Sequence, residues 1–315
     1  MSDIDWSFDR AAGLAALRTV ISERFGPVTD IEPLPTWGPT VVALVRFVSG
    51  SAVVAKCSAR QDVAAEVAAC RLAAGVGLPV PRVVATGETE RLPGRYWFAM
   101  SFLTGVPWAD LPVNRDEHVV RQLADHFVRL HSIQLSGFGS LTVRGVGADS
   151  SWPGWIAAGF DRELGALADS GQRVSDLVTA SQSAVARLEP VLASRPGRLV
   201  HADLGDREVL VDVDDAQVTG LVDWGSAIVG DPLFEFAKFV GGGPVDDPRP
   251  GRLLPLLRRH YGARTGVDWS RTRPLMALYE AHNAVTNANW ARREGTGWAV
   301  SLLDRARELL AEVGR

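Results

Sequence analysis

Three acidic residues in the second half of the chain have a spacing that suits a divalent cation. Asp203 lies in a polar loop, Glu208 stands at the end of that loop, and Asp223 follows the next pair of apolar runs. Carboxylate oxygens are the hard ligands that Mg²⁺ prefers. For any single acid, a solvated residue at the end of a hairpin is an alternative interpretation. Taken together, the three acids predict a magnesium site.

The register of a short hairpin brings two of these acids together. Two apolar runs joined by a polar turn predict antiparallel strands that begin at Val209 and return to Val222. Pairing Val209 with Val222 places Glu208 opposite Asp223, with roughly 5 Å between their α-carbons. Two carboxylates at that distance repel each other unless a cation lies between them. The predicted register therefore favours the same magnesium site.

A lysine and a glutamate in the N-terminal part form a second candidate pair. Lys56 ends an apolar strand, and Glu66 lies between Val63 and Cys70, beside the apolar stripe of a predicted helix. A half-buried charge needs a partner, and each of these two is the obvious partner of the other. An exposed ion pair worth under about 1 kcal/mol is the alternative. Because lysine occurs elsewhere only at Lys238, the compact ammonium of Lys56 favours a functional role.

The elements that must position these residues divide the chain into two parts. Helices are expected over 11–25 and 61–74, and strands over 41–48, 52–57, 82–86 and 96–102. Beyond these, helices are expected over 119–130, 181–193, 252–260, 274–290 and 300–313. We therefore predict an α+β fold with two lobes. Residues 1–104 would form a β-rich N-terminal lobe with one main helix, and residues 105–315 a mostly helical C-terminal lobe.

Composition and charge exclude several classes of protein. Hydrophobic residues make up 46% of the chain and charged residues 22%, as is usual for a soluble globular protein. The net charge of −4 offers no basic surface for nucleic acid and little attraction to anionic membranes. The sequence shows no signal peptide and no membrane-length apolar stretch. With only two cysteines, it predicts a cytoplasmic protein without nucleic-acid or membrane partners.

The sequence lacks motifs that would indicate another kind of nucleotide-binding protein or enzyme. It contains no Walker-type phosphate loop and no G-x-G-x-x-G after a strand. No cysteine and histidine cluster has zinc spacing, and no G-x-S-x-G elbow indicates a serine hydrolase. The acids and the lysine therefore carry the functional prediction.

The order of these residues resembles a known superfamily. Lys56, Glu66, the His201-Ala-Asp203 triplet and the Val222-Asp-Trp224 triplet are similar to motifs of the aminoglycoside phosphotransferases and choline kinases, which are relatives of protein kinases. Residues 199–237 resemble the catalytic core of that superfamily, ending in a Gly-Asp-Pro triplet. The absence of a His-Pro pair after the His-x-Asp triplet is similar to the hygromycin B phosphotransferase branch.

The resemblance implies a protein-kinase-like fold with a nucleotide between the lobes. Lys56 would hold the α- and β-phosphates and Glu66 would orient it. Asp203 would accept the proton of the substrate hydroxyl, and Asp223 would bind Mg²⁺. Glu208 stands where the superfamily has Asn, so its role as a second metal ligand is open.

The resemblance also implies contacts with both substrates. Thr40, in the loop 36–40 over the phosphates, and a hinge of four residues would bind the nucleotide. The hinge consists of Met100, Ser101, Phe102 and Leu103. Substrate contacts are expected from Asp206, Trp269, Glu280, Trp290 and Trp298, although core packing is the alternative for the three tryptophans. His201 is expected to pack in the catalytic loop, and Asp231 to cap or brace a loop.

The function implied is O-phosphorylation of a small molecule, with ATP or GTP as donor and Mg²⁺ as cofactor. The favoured substrate is an aminoglycoside-like or nucleoside antibiotic, which would give resistance. One alternative is a metabolic kinase acting on a sugar, an amino alcohol or a choline-like molecule. Another is a nucleotide-binding pseudokinase, because Glu208 replaces the usual Asn.

Overall fold

The computed structural model describes residues 9–36, 40–58, 63–92, 94–237 and 248–314. Most of the predicted loop 36–40 lies outside these residues, as does the predicted start of the second helix at residue 61. Within them, an antiparallel sheet near the N-terminus is followed by a larger helical region. The prediction of a two-lobed α+β fold is confirmed.

The N-terminal lobe is a five-stranded antiparallel sheet with a helix on each face. The strand order is β1-β2-β3-β5-β4. Side chains alternate along β2, so Ala43 and Val45 pack with the first helix while Leu44 packs with the second. The elements are α1 (Arg10–Phe25), β1 (Val28–Pro33), β2 (Thr40–Phe47), β3 (Ala52–Ser58), α2 (Val63–Gly75), β4 (Val83–Glu88) and β5 (Tyr96–Ser101).

The C-terminal lobe is built from six helices among the described residues, with short strands that carry the loops. The helices are α3 (Asp116–Leu130), α4 (Trp152–Asp169), α5 (Ser175–Ala193), α6 (Pro248–Thr265), α7 (Arg273–Glu294) and α8 (Ala299–Val313). The strands are β6 (Val106–Pro107), β7 (Phe138–Leu141), β8 (Gly147–Asp149), β9 (Arg198–Val200), β10 (Val209–Val211), β11 (Val218–Leu221) and β12 (Ile228–Gly230). In the described part of the chain, no helix has the length and apolar character needed to cross a membrane.

The two lobes share apolar packing. Ala69, Cys70 and Ala73 of α2 belong to the same buried cluster as the helices of the C-terminal lobe. This packing connects α2, the helix that carries Glu66, to the C-terminal lobe. The lobe boundary between residues 104 and 105 stays a prediction.

Helix α4 is absent from the sequence predictions, although it lies in the core. Glycines at 154, 159 and 165 lower its intrinsic helix propensity. Burial of one face overrides that propensity, because Ile156, Phe160 and Leu164 are at most 2% exposed. Gly159 is required by close packing, since a Cβ there would lie 2.2 Å from Nε2 of His282.

His282 on α7 makes the stability of the fold sensitive to acid. Burial, with a smaller effect of the nearby Arg162 charge, lowers the pKa of His282 from 6.5 to about 3. Below pH 6.5 the unfolded chain therefore binds a proton that the folded chain excludes. The linked stability is complete above pH 6.5 and is lost as pH falls toward 3, by up to about 1.4 kcal/mol per pH unit.

We expect His282→Leu to flatten this acid-induced loss of stability. The measurement is urea unfolding between pH 7 and pH 4, compared with the wild type. His118→Gln serves as the control because His118 is exposed, and it should keep the wild-type slope. Identical slopes for the wild type and His282→Leu would show that His282 is protonated equally in the folded and unfolded states.

Candidate active site

Lys56 forms two ion pairs at the junction of the lobes. Its side chain is 11% exposed and its Nζ lies 2.7 Å from Oε2 of Glu66 and 3.0 Å from Oδ1 of Asp223. Strand β3 supplies the lysine, helix α2 the glutamate, and the segment after β11 the aspartate. The Lys56–Glu66 pair predicted from the sequence is present, and it is buried.

The charge of Lys56 is stabilised by these two carboxylates. Burial alone would lower the pKa of its ammonium group, but attraction to Glu66 and Asp223 and hydrogen bonds to both raise it well above the ordinary value. Lys56 therefore stays positively charged at all physiological pH values. A fixed positive charge at this position suits the binding of phosphate oxygens.

Asp223 begins a tight turn that faces the same ion pairs. Asp223 has a left-handed backbone with φ of 62°, and Trp224 donates from Nε1 to the carbonyl of Leu221 at 2.9 Å. The next residue is Gly225, where a Cβ would lie 3.4 Å from Oε2 of Glu66 and 3.7 Å from Nζ of Lys56. The backbone thus passes close to the charged groups.

The predicted register of the hairpin is wrong by one residue at Val209 and Leu210, and by two residues at Val211. Val209 pairs with Leu221, and Leu210 with Gly220, with an irregularity before Val211. The amide of Val222 donates to the carbonyl of Glu208 at 3.0 Å, so Glu208 lies opposite Val222 and not opposite Asp223. The irregularity leaves Thr219 without a paired residue on β10, because Val211 pairs with Val218.

Glu208 has a structural contact that the sequence did not predict. Its Oε2 accepts a hydrogen bond from the amide of Gly205 at 2.8 Å. The side chain therefore closes the loop that carries Asp203. Among the described residues, no three histidine, cysteine, aspartate or glutamate side chains are placed to hold a metal ion together, so a metal here would need ligands from the substrate.

The start of the loop that carries Asp203 is held by a second carboxylate, which is buried. Glu235 is 0% exposed and accepts hydrogen bonds from the amides of His201 at 2.8 Å and Ala202 at 3.1 Å. Ala202 has a left-handed backbone with φ of 61°, which is costly for a residue with a Cβ. Asp203 follows directly and accepts a hydrogen bond from Oγ of Ser226 at 3.5 Å. The serine links Asp203 to the turn that begins with Asp223.

His201 and Asp231 have the bracing roles expected of them. His201 is 0% exposed, its Nε2 lies 3.0 Å from the carbonyl of Val222, and its ring packs on Trp224 at 4.5 Å. Asp231 accepts hydrogen bonds from the side chains of Arg195 and Tyr279 and from the amide of Leu233. Both residues fix loops and neither presents its polar atoms to a substrate.

We expect Glu235→Gln to destabilise the catalytic loop and lower kcat. A carboxamide has one oxygen where two backbone amides need acceptors, so a buried donor is left unsatisfied at a cost of about 1–3 kcal/mol. Thermal unfolding and steady-state kinetics measure the two effects. Glu189→Gln, at an exposed position on α5, is the control and should match the wild type. An unchanged kcat in Glu235→Gln would contradict the proposed loop-holding role.

The predicted nucleotide contacts lie on and after the inner strands of the sheet. Met100 pairs with Val54 on β3. The predicted hinge then passes from buried Met100, at 8% exposure, to Phe102, at 47%. Thr40 begins β2, where its hydroxyl lies 3.1 Å from Oγ of Ser58. These positions are compatible with nucleotide binding, and their role stays a prediction.

The predicted substrate contacts have partners within the C-terminal lobe. Trp269 donates from Nε1 to the carbonyl of Arg258 at 2.8 Å, and the rings of Trp290 and Trp298 lie 6.3 Å apart. Glu280 is 3% exposed and its Oε1 lies 2.9 Å from Arg258. Asp206 forms an ion pair with an arginine of α6. Substrate binding by Asp206, Trp269, Glu280, Trp290 and Trp298 stays a prediction.

Two residues of the site escaped the sequence predictions. Glu235 is the acid inside the run Phe234-Glu-Phe236, and a carboxylate between two apolar residues signals a buried acceptor. Ser226 carries no comparable signal, because an isolated serine after a Trp-Gly pair is typical of many turns. The structure is needed to place it beside Asp203.

A separate cleft of about 630 Å³ lies between α5 and α8. Its lining includes Leu177, Ala184 and Leu310, together with Asp176 and Arg307, which pair with each other at 2.6 Å. It contains none of the predicted site residues, so we assign no part of the chemistry to it.

Comparison with known proteins identifies the family. The model of the phosphotransferase enzyme family matches residues 31–275, a range that includes Lys56, Glu66, Asp203 and Asp223. The chain belongs to this family. The prediction that it is a phosphotransferase is confirmed.

This phosphotransferase is similar to characterised relatives. Hygromycin-B 4-O-kinase from Escherichia coli is 29% identical over 275 residues, which are 76% of this chain and 77% of that protein. This similarity agrees with the resemblance to the hygromycin B phosphotransferase branch, which the absence of a His-Pro pair after the His-x-Asp triplet indicated.

Solved structures show the same fold as this phosphotransferase. One is a thermostable mutant of aminoglycoside phosphotransferase APH(4)-Ia in a ternary complex with AMP-PNP and hygromycin B. It has a TM-score of 0.73 at 22% identity and covers 94% of this chain and 98% of that chain. Another is the GDP complex of wild-type aminoglycoside 2'-phosphotransferase-IIIa, with a TM-score of 0.62 at 17% identity, covering 93% and 97%. The predicted protein-kinase-like fold is confirmed.

Proposed function

We propose that this protein transfers the γ-phosphoryl group of ATP or GTP to a hydroxyl group of an aminoglycoside-like antibiotic. The observation that carries the proposal is the convergence of Lys56, Glu66 and Asp223 beside the loop of Asp203. A phosphate-binding cation and a carboxylate base are the two groups that this transfer requires of the protein. The similarity to hygromycin-B 4-O-kinase supports an aminoglycoside-like acceptor.

Lys56 binds the phosphates in this proposal. Glu66 fixes the ammonium group of Lys56 between the lobes, because the side chains that form their 2.7 Å contact are both buried. The side chain of Asp223 is 57% exposed, so it can exchange its contact with Lys56 for one with the incoming nucleotide complex. Met100, Ser101, Phe102 and Leu103 receive the base at the junction of the lobes.

The carboxylates of Asp223 and Glu208 fit Mg²⁺. Both offer hard oxygen atoms, and Mg²⁺ is usually held by one or two carboxylates together with substrate phosphates. When bound, Mg²⁺ neutralises charge that develops on the β- and γ-phosphates.

Asp203 acts on the acceptor in this proposal. Its carboxylate accepts the proton of the acceptor hydroxyl while the hydroxyl oxygen bonds to the γ-phosphorus. The bond from the γ-phosphorus to the bridging oxygen breaks, and the nucleoside diphosphate leaves. Glu235 and Ser226 orient Asp203 for this step through the hydrogen bonds described above.

The test is phosphoryl transfer by the purified protein. It is incubated with Mg²⁺, ATP or GTP, and a panel of acceptors that includes hygromycin B, kanamycin, nucleoside antibiotics, choline and simple sugars. We expect diphosphate release that depends on an aminoglycoside and a product that is one phosphoryl group heavier by mass spectrometry. Transfer only to choline or sugars would support a metabolic kinase. Nucleotide binding without transfer to any acceptor would support a pseudokinase.

Glu208→Asn should weaken Mg²⁺ binding and preserve transfer. Asn keeps a carbonyl oxygen that can face the metal, on a side chain one methylene shorter, and it removes one negative charge from the metal site. Calorimetric titration of Mg²⁺ into the ADP complex measures affinity, and the transfer assay measures kcat. Asp214→Asn removes the same charge at the exposed turn of the hairpin and is the control. Equal Mg²⁺ affinity in the wild type and Glu208→Asn would remove Glu208 from the metal site.

A further inference from the structure

Arg249 lies in the first turn of α6. It connects three segments around residues 201–208, the catalytic loop that carries Asp203. Its guanidinium donates to the carbonyls of Ala109 at 2.6 Å and Trp108 at 2.9 Å, and to Oδ1 of Asp116 at 2.7 Å. Its Nε lies 3.6 Å from Oδ2 of Asp206, which belongs to the catalytic loop. One side chain thus joins α6, the turn after β6, the start of α3 and the catalytic loop.

The arginine is held rigidly in this position. Its side chain is 11% exposed and its guanidinium carbon lies 5.5 Å from the centre of the Trp108 ring. Trp108 is 0% exposed, and its Nε1 donates to the same oxygen of Asp116 at 2.9 Å. A planar guanidinium can satisfy several acceptors at fixed angles, which an ammonium cannot do. The position therefore selects arginine.

The catalytic loop is tied to the same turn by its backbone. The amide of Ala109 donates to the carbonyl of Asp206 at 2.9 Å, while the carbonyl of Ala109 accepts from Arg249. Arg249 therefore acts on Asp206 both through the ion pair and through the peptide group of Ala109. Asp206 lies between Asp203 and Glu208 in the sequence, so its position affects both.

We propose that Arg249 and Asp206 form a brace that positions the catalytic loop, and that Asp206 serves this brace and does not bind the acceptor. Arg249 is a positioning residue because it contacts Asp206, Ala109 and Asp116. Glu235 holds residues 201 and 202 and the brace holds residue 206, so Asp203 lies between two anchored positions of the chain. The inference rests on the proposed phosphoryl transfer by Asp203.

The test compares Arg249→Met, Arg249→Lys, Asp206→Asn and the double variant Arg249→Met/Asp206→Asn. We expect Arg249→Met to lower kcat by about 10²-fold, the loss typical of a misplacement near 1 Å, with nucleotide Kd within about threefold of the wild type. Arg249→Lys should not restore kcat, because its ammonium cannot reach the same set of acceptors. Asp206→Asn should lower kcat less, and should have no further effect when Arg249 is already Met.

Hydrogen exchange gives a readout that does not depend on activity. Amides of residues 201–208 should exchange faster in Arg249→Met and in Asp206→Asn than in the wild type. Arg264→Met is the matched control, because Arg264 also lies on α6 and its guanidinium pairs with both carboxylate oxygens of Asp125 on α3, and neither residue is among the predicted site residues. It should lower Tm but keep wild-type exchange in residues 201–208 and a kcat within about threefold of the wild type.

The outcomes separate the brace from the proposed function. Additive losses of kcat, or wild-type exchange of residues 201–208 in Arg249→Met, would overturn the brace. If Asp206 binds the acceptor instead, Asp206→Asn should raise the acceptor KM with an unchanged kcat. A wild-type protein that transfers phosphate to no acceptor would contradict the proposed function, and exchange would still decide whether the brace exists. If Arg249→Met does not fold, kcat and amide exchange of residues 201–208 in Arg249→Lys and Asp206→Asn test the same prediction.

Discussion

Asp203→Asn is expected to lower kcat for phosphoryl transfer by about 10²–10⁴-fold, the usual contribution of a general base. Asn keeps the size of the side chain and an oxygen that can accept from Ser226, but it cannot take the proton of the acceptor hydroxyl. Nucleotide Kd should stay close to the wild-type value, because the phosphates are bound by Lys56. Coupled measurement of diphosphate release gives kcat, and calorimetry with a non-hydrolysable nucleotide gives Kd.

The control for Asp203→Asn is Asp169→Asn. Asp169 is the exposed last residue of α4, so the substitution removes a carboxylate from the surface of the same lobe and should leave kcat unchanged. A value for Asp203→Asn above about a tenth of the wild-type kcat would place the general base elsewhere. A loss of nucleotide binding equal to the loss of kcat would instead indicate a disordered loop.

Lys56→Met is expected to cost both activity and stability. The side chain of Glu66 is 3% exposed, and removing one partner of a buried ion pair destabilises a fold by about 3–5 kcal/mol. In the double variant Lys56→Met/Glu66→Met the unpaired charge is gone, so most of the stability should return. Activity should not return, because the phosphate-binding cation is still absent. Urea unfolding and kcat/KM measure the two effects separately.

Lys56→Arg tests the chemistry of the cation itself. Charge is kept, but the longer planar guanidinium cannot occupy the position of a compact ammonium between Glu66 and Asp223. We expect stability closer to the wild type than in Lys56→Met, and kcat/KM reduced nearly as much. Wild-type turnover by Lys56→Arg would mean that Lys56 does not bind the phosphates, and that its ion pairs serve only the fold.

The sequence could predict those parts of the fold that local pattern specifies. Apolar alternation and the tight hairpin between β2 and β3 indicated the strands, and the buried charges of Lys56 and Glu66 indicated their pairing. Strand β1 was not predicted, because Thr29, Asp30 and Glu32 leave it without an apolar face. It pairs with β2 at the edge of the sheet, where backbone hydrogen bonds stabilise a polar strand.

The register and the braces of the site could not be predicted from the sequence. The pairing of β10 with β11 differs from the predicted register and has an irregularity before Val211. Apolar residues on both strands do not distinguish this register from neighbouring ones. The contacts of Arg249 with Asp116 and Asp206 join residues far apart in the chain, and no local spacing signals them. Long-range polar contacts of this kind require the structure.

The left-handed backbone of Ala202 bears on how this active site can change during evolution. Alanine in this left-handed conformation carries a conformational cost of about 1–2 kcal/mol, which the hydrogen bonds from the amides of His201 and Ala202 to Glu235 offset. A change at Glu235 is therefore more damaging while residue 202 is alanine than after Ala202→Gly. Substitutions that remodel this loop should therefore occur in a fixed order. Ala202→Gly should come first, and changes at Glu235 that the present sequence does not tolerate should follow.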